Sequence, residues 1–112
     1  MSHEAFMDAA LEQARLALAA GEVPIGAVLV IDDAIVARSF NQPISACDPT
    51  AHAEMQAIRD AARRLGTSDL SDCRMYGTSR ACPMCEAGAY WARIAGMYNG
   101  ASIVDAGAPR LP

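Results

Sequence analysis

Four positions carry the side chains best suited to metal and proton chemistry: His52 and Glu54 in "DPTAHAEMQAIRD", and Cys82 and Cys85 in "TSRACPMCEAGAYW". A Cys-x-x-Cys pair by itself is shared by thiol redox sites, structural zinc sites and chance. A lone His-x-Glu says still less. Together they offer one imidazole and two thiolates, and three protein ligands with a fourth position open are the pattern of a catalytic rather than a structural zinc. Such an ion lowers the pKa of a bound water towards neutrality. Glu54 is then a candidate to take a proton and deliver it to a leaving nitrogen, base and acid work by one group. Against a redox role, no thioredoxin-like strand and no "WCxxC" precede the pair. Cys47, in a loop, and Cys73, at a strand start, lack ligand spacing and read as small core or surface residues. His3, the other histidine, reads as a solvent-exposed residue of the N-terminal stretch.

The elements that must position these groups follow from periodicity. Met7, Leu11, Ala14 and Leu18, with Gly21 just beyond, predict an amphipathic helix over 2–20. "PIGAVLVIDDAIVARS" predicts a hairpin with arms 25–31 and 34–39 around Asp32-Asp33, its first arm buried on both faces. After a loop over 41–49, Met55, Ile58, Ala62 and Leu65 predict a helix over 50–65, with Asp48 and Thr50 as candidate caps and Pro49 initiating it. A strand over 73–78, a helix over 83–94 and a strand over 96–100 follow. The tail "ASIVDAGAPRLP" gives weak signals. Pro83 suits the first helical position, which makes Cys82 the cap and Cys85 the third helical residue, three apart and able to converge. His52 and Glu54 can approach one site where the chain is just entering its helix. Both helix starts bring unpaired N–H groups and a positive dipole end, which favour thiolates and developing negative charge. The order α-β-β-α-β-α-β predicts an α/β fold, a mixed sheet with helices on its faces.

The bounds agree with one small domain. The chain has 112 residues, 53% of them hydrophobic, enough for a modest core that association could supplement. "MSHEAFMDAA" has no basic region ahead of an apolar run, and no run approaches a membrane span, so a cytosolic protein without membrane contact is expected. There cysteines stay reduced. Nine arginines, no lysines and thirteen acids give a formal net charge of −4, which disfavours a broad phosphate-binding surface.

Across 6–105 the chain resembles the zinc-dependent nucleobase and nucleoside deaminases, through His-x-Glu and a later Cys-x-x-Cys and through "GEVPIGAVLV", "FNQP", "DPTAHAEMQAIR" and "CPMCEAGAYWARI". These blocks look like those of guanine deaminases and tRNA adenosine deaminases. The resemblance implies a cytidine deaminase-like three-layer α/β/α sandwich with a mixed sheet of four to five strands. It implies zinc on His52, Cys82 and Cys85, Glu54 as the proton shuttle, Asn41 as a hydrogen-bonding partner of the substrate ring, and Val23, Pro24 and Ala53 at the pocket wall. A homodimer is implied too. By residue type alone Asn41 reads as a turn residue, Val23 and Pro24 as a loop end, and Tyr90 and Trp91 as core or interface.

Two departures from the family pattern stand out. Arg80-Ala81 replaces the usual residues before the first cysteine, where the family has proline, which restores an N–H and adds a positive charge near the site. Relatives also continue for several tens of residues, so the single domain over 1–112 is read either as a short variant or as lacking a C-terminal strand and helix. The expected reaction is hydrolytic deamination of a free base or base-like heterocycle, of guanine, isocytosine, cytosine, aminotriazine or creatinine type. The runner-up is adenosine in a tRNA anticodon loop. A third reading, from another class, is a catalytically dead zinc protein acting as a binding partner; Glu54 argues against it.

Overall fold

A hairpin organises the sheet. In the computed structural model, which describes residues 2–111, the chain runs α1 (His3–Ala19), β1 (Gly26–Ile31), β2 (Ala34–Phe40), α2 (Ala53–Leu65), β3 (Arg74–Gly77), α3 (Pro83–Ala92), β4 (Gly96–Asn99) and β5 (Val104–Gly107). Asp32 and Asp33 turn β1 into β2 with φ of 46° and 70°, the left-handed pair that matches strand twist in a two-residue hairpin. Aspartate tolerates that region because its short side chain can bond locally.

The five strands are ordered β2-β1-β3-β4-β5. β3 and β4, joined through α3, are parallel, and the other neighbours are antiparallel, so the sheet is mixed. Successive β1 residues serve opposite faces. Val28 and Val30 pack with Tyr76 against Phe6, Met7 and Ala10 of α1. Ala27 and Leu29 pack with Met75 against Ala53, Ala57 and Ala61 of α2 and Ala89 and Ala92 of α3. The result is three layers, α1 on one face and α2 with α3 on the other, as the α/β/α expectation holds. β1 barely alternates because both its faces are covered. α1 crosses β1 so closely that a Cβ on Gly26 would lie 2.1 Å from the Ala10 carbonyl oxygen.

Several boundaries differ from the sequence reading. α2 starts at Ala53, three residues after the expected Thr50, because Asp48 Oδ1 accepts both the Thr50 N–H at 2.8 Å and its hydroxyl at 2.7 Å, forming a turn of their own. Asp48, Pro49 and Thr50 therefore do not cap or initiate that helix. α3 ends at Ala92 instead of Ile94: Arg93 takes a left-handed φ of 65°, and the Ile94 N–H reaches back to the Ala89 carbonyl at 3.0 Å. The tail adds β5, paired antiparallel with β4. His3 is exposed but not free: its ring lies 4.7 Å from that of Tyr98 and its Nδ1 bonds the Tyr76 hydroxyl. Cys73 is buried and Cys47 exposed. Among the described residues no helix is long and apolar enough to cross a membrane.

Candidate metal centre and active site

One end of the sheet gathers the groups singled out in the sequence. The chain entering β1, the chain leaving β2, the chain leaving β3 and the N-termini of α2 and α3 all meet there. Backbone hydrogen bonds fix the meeting: Asn41 N–H to the Ile25 carbonyl at 2.9 Å, Gln42 N–H to that of Ala51 at 3.0 Å, and Thr78 N–H to that of Gly26 at 3.0 Å. The Thr78 hydroxyl in turn accepts the Gly26 N–H at 3.0 Å.

His52 and Cys82 occupy equivalent places. Each is the residue just before a helix, in extended backbone (φ −69°, ψ 152° and φ −71°, ψ 167°), and neither spends its side chain on capping. In the first turn of α2 the Glu54 carboxyl takes its own backbone N–H and the Cys85 sulfur that of Met55, and the N-terminal ends of both helices lend positive potential to the space between them. Because His52 is extended rather than helical, it and Glu54 are not forced to opposite sides. Pro83 follows Cys82 at the first helical position, and Cys85 comes one turn on.

The His52 Nδ1 lies 3.5 Å from Cys82 Sγ and 3.5 Å from Cys85 Sγ. One imidazole nitrogen has a single proton or a single lone pair, so it cannot hydrogen-bond both sulfurs well. A tetrahedral zinc with ordinary Zn–S and Zn–N bonds separates N from S by about 3.6 Å. The spacing therefore suits three donors around one ion, and the three ligand atoms lie within 4.8 Å of one another. Burial, then the neighbouring Glu54, then Cys82 push the Cys85 thiol far above its ordinary range, so an ion must displace its proton on binding.

Glu54 is buried at 4% exposure, in the first turn of α2. Burial raises its carboxyl pKa, against the opposing pull of its own backbone N–H, the His52 charge and the Cys85 side chain. A carboxyl shifted upwards and set beside the donor trio can hold and release a proton nearer neutrality than an ordinary one. Asn41, at the end of β2, is 6% exposed, and its side-chain amide takes no partner within the described chain. Ala53 is fully buried in the α2 core contact. Val23 is 61% exposed, and Pro24 is exposed beside it. Ala81 packs on the core while Arg80 is exposed, next to a groove of about 690 Å³ lined also by Pro83, Glu86, Asn99 and Arg110. None of His52, Glu54, Cys82 and Cys85 lines that groove, so the donor set and not groove volume locates the chemistry. The sequence reading missed Glu22, a buried carboxylate between the helix-stopping Gly21 and Val23. Its type and position look like an ordinary loop acid.

Residues 1–101 match the family described as Cytidine and deoxycytidylate deaminase zinc-binding region. The chain is 43% identical over 107 residues to a guanine deaminase of Bacillus subtilis, covering 95% of this chain and 69% of that one. It is 46% identical over 103 residues to a tRNA-specific adenosine deaminase of Agrobacterium fabrum, covering 92% and 68%. The solved structure of guanine deaminase from Bacillus subtilis superposes with a TM-score of 0.87 at 43% identity, covering 90% of this chain and 65% of that one. The chain thus spans about two thirds of the length of these relatives.

Proposed function

Because this chain belongs to the cytidine and deoxycytidylate deaminase zinc-binding family, whose chemistry is zinc-dependent hydrolytic deamination, we propose that its substrate is a free nucleobase or base-like heterocycle of guanine, isocytosine, cytosine, aminotriazine or creatinine type. Zinc held by His52, Cys82 and Cys85 would supply Lewis-acid activation of water. The observation that carries the reading is the buried Glu54 carboxyl beside that trio. Glu54 takes the proton of the attacking water, whose oxygen bonds the ring carbon. It gives that proton to the ring nitrogen, then takes the second one from the new C–O–H and passes it to the departing amine, so that the C–N bond breaks and ammonia leaves a carbonyl behind. Asn41 offers its unpartnered amide to orient the flat, polar ring. Ala53, Val23 and Pro24 wall the pocket. The positive ends of α2 and α3 favour charge that develops between them.

A small substrate is supported by the net charge of −4 and the absence of lysine. A specific observation favours a second reading, adenosine in tRNA. Arg38, Arg59, Arg63 and Arg64 line one groove with Asp60, a local positive surface on an acidic chain, and the tRNA-specific relative is 46% identical. We further propose a cytosolic homodimer, in which a second copy covers Tyr90 and Trp91, exposed at 42% and 71%.

The test is ammonia release from a panel of these heterocycles by zinc-loaded protein, with an inosine readout on tRNA beside it. Release from at least one small heterocycle, with no inosine formed, is expected. Inosine on tRNA with a silent panel would transfer the substrate to the second reading.

A further inference from the structure

Among the described residues the buried polar side chains are Glu22, Asn41 and Glu54, at 5%, 6% and 4% exposure. Two of them have places in the proposed reaction; Glu22 has none. A buried carboxylate is costly unless hydrogen bonds replace its water. Both oxygens of Glu22 are taken by consecutive backbone amides, Oε1 by the Ile44 N–H at 3.2 Å and Oε2 by the Ser45 N–H at 2.7 Å.

Those amides sit at the tip of a loop that otherwise closes on itself. Ala46 N–H bonds the Gln42 carbonyl at 2.9 Å, Cys47 N–H that of Ile44 at 3.1 Å, and Asp48 N–H that of Pro43 at 3.0 Å. Among the described residues, no hydrogen bond other than those of Glu22 reaches residues 44 and 45 from outside the loop. The carboxylate therefore ties the loop after β2 to the segment before β1. Two aliphatic side chains flank this tie in the open: Val23, next to Glu22 in the chain and 61% exposed, and Ile44, whose amide the carboxylate holds, 74% exposed. The same two segments carry Pro24 and Asn41. Exposed aliphatics carried by the segments that also hold Pro24 and Asn41 offer a planar ring an apolar surface to lie on.

We infer that Glu22 is a positioning residue: it clamps the Ile44–Ser45 turn against the segment before β1, so that Val23 and Ile44 form an apolar lip selecting planar heterocycles, independently of the metal ligands. The lip's role in selection rests on the deaminase reading given above; the clamp does not. Burial works to raise the Glu22 pKa, but the Ser45 amide and hydroxyl and the Ile44 amide outweigh it and leave the carboxyl below its ordinary value, as an ionised clamp requires.

Glu22→Ala and Glu22→Gln in the zinc-loaded full chain decide the matter, the glutamine keeping one acceptor oxygen of the two. Amide hydrogen exchange at Ile44 and Ser45 is expected to accelerate by about tenfold or more in the alanine variant and by less in the glutamine variant, the scale of a lost charged hydrogen bond. Zinc affinity, read by chelator competition, stays within about threefold of the parent, while KM for guanine rises about tenfold with kcat little changed. Ile44→Ser, which leaves the carboxylate's bonds in place, should raise KM for guanine without altering exchange at Ser45 or zinc affinity. Unchanged exchange at both amides overturns the clamp. A fall in zinc affinity parallel to the rise in KM overturns its independence of the metal site. If the parent releases no ammonia from guanine, the guanine reading fails there, and the clamp is judged on exchange and zinc affinity alone.

Discussion

His52 and Cys82 each stand one residue ahead of a helix in extended backbone and neither side chain caps that helix, which leaves the imidazole and the thiol free to meet Cys85 in the space between the two helix starts. Residue types and spacing made these groups legible in the sequence, since a proline after the first cysteine and a His-x-Glu at a helix start imply particular cap geometry. Glu22 and His3 were not legible. Each owes its role to a partner far along the chain, the loop amides at Ile44 and Ser45 for one and Tyr76 with Tyr98 for the other. At this scale Glu54→Gln should leave zinc bound and reduce turnover by about 10²- to 10⁴-fold, the usual contribution of a positioned acid–base group. The same change should raise the melting temperature of the metal-free protein at neutral pH. Glu54 has a raised folded-state pKa, so its burial costs nothing below the unfolded-state value and becomes a penalty as pH rises through the folded one, a penalty that the amide avoids. Calorimetry of both metal-free proteins across pH, with steady-state kinetics of the zinc forms, checks both halves; a melting difference that grows on acidification would contradict this account of Glu54.

Elements are read from periodicity, and here periodicity served well because apolar spacing reports directly which face is buried. All three helices and four of the five strands stand where their patterns predict, with ends moved by a few residues. The ends moved for local reasons without a clear sequence signal: an aspartate–threonine turn that delays α2, and a left-handed Arg93 where a glycine would have announced the stop. β5 is short and its residues are mostly exposed, so it lacks the apolar alternation that would have marked it. The contact between α1 and β1 depends on Gly26, where an added Cβ would meet backbone atoms of Ala10 and Ala14 at 2.1 and 2.6 Å, which no rotamer change can relieve. Gly26→Ala should therefore lower stability by about 2–3 kcal/mol through overpacking, read as a lower urea midpoint at unchanged slope. Equal midpoints would show that α1 rides further from the sheet than described.

The whole molecule brings three chain segments to one end of a mixed sheet, an arrangement no local pattern contains. Net charge is a property of this scale, and it hides a groove that holds four of the chain's nine arginines. Association belongs here as well. Tyr90 and Trp91 meet edge to face with ring centroids 5.4 Å apart on the outer side of α3, and they are too exposed for a core role. Trp91→Arg should shift sedimentation from dimer towards monomer, and a parent protein that sediments as a monomer would contradict the proposed pairing. The central claim, that folding brings one imidazole and two sulfurs around a single ion with a position left for solvent, is tested most directly by zinc-edge X-ray absorption on the loaded protein. The expected result is one zinc per chain with two sulfur neighbours at about 2.3 Å and two nitrogen or oxygen neighbours at about 2.0–2.1 Å. Protein that takes up no zinc, or a shell of four sulfurs, would contradict it.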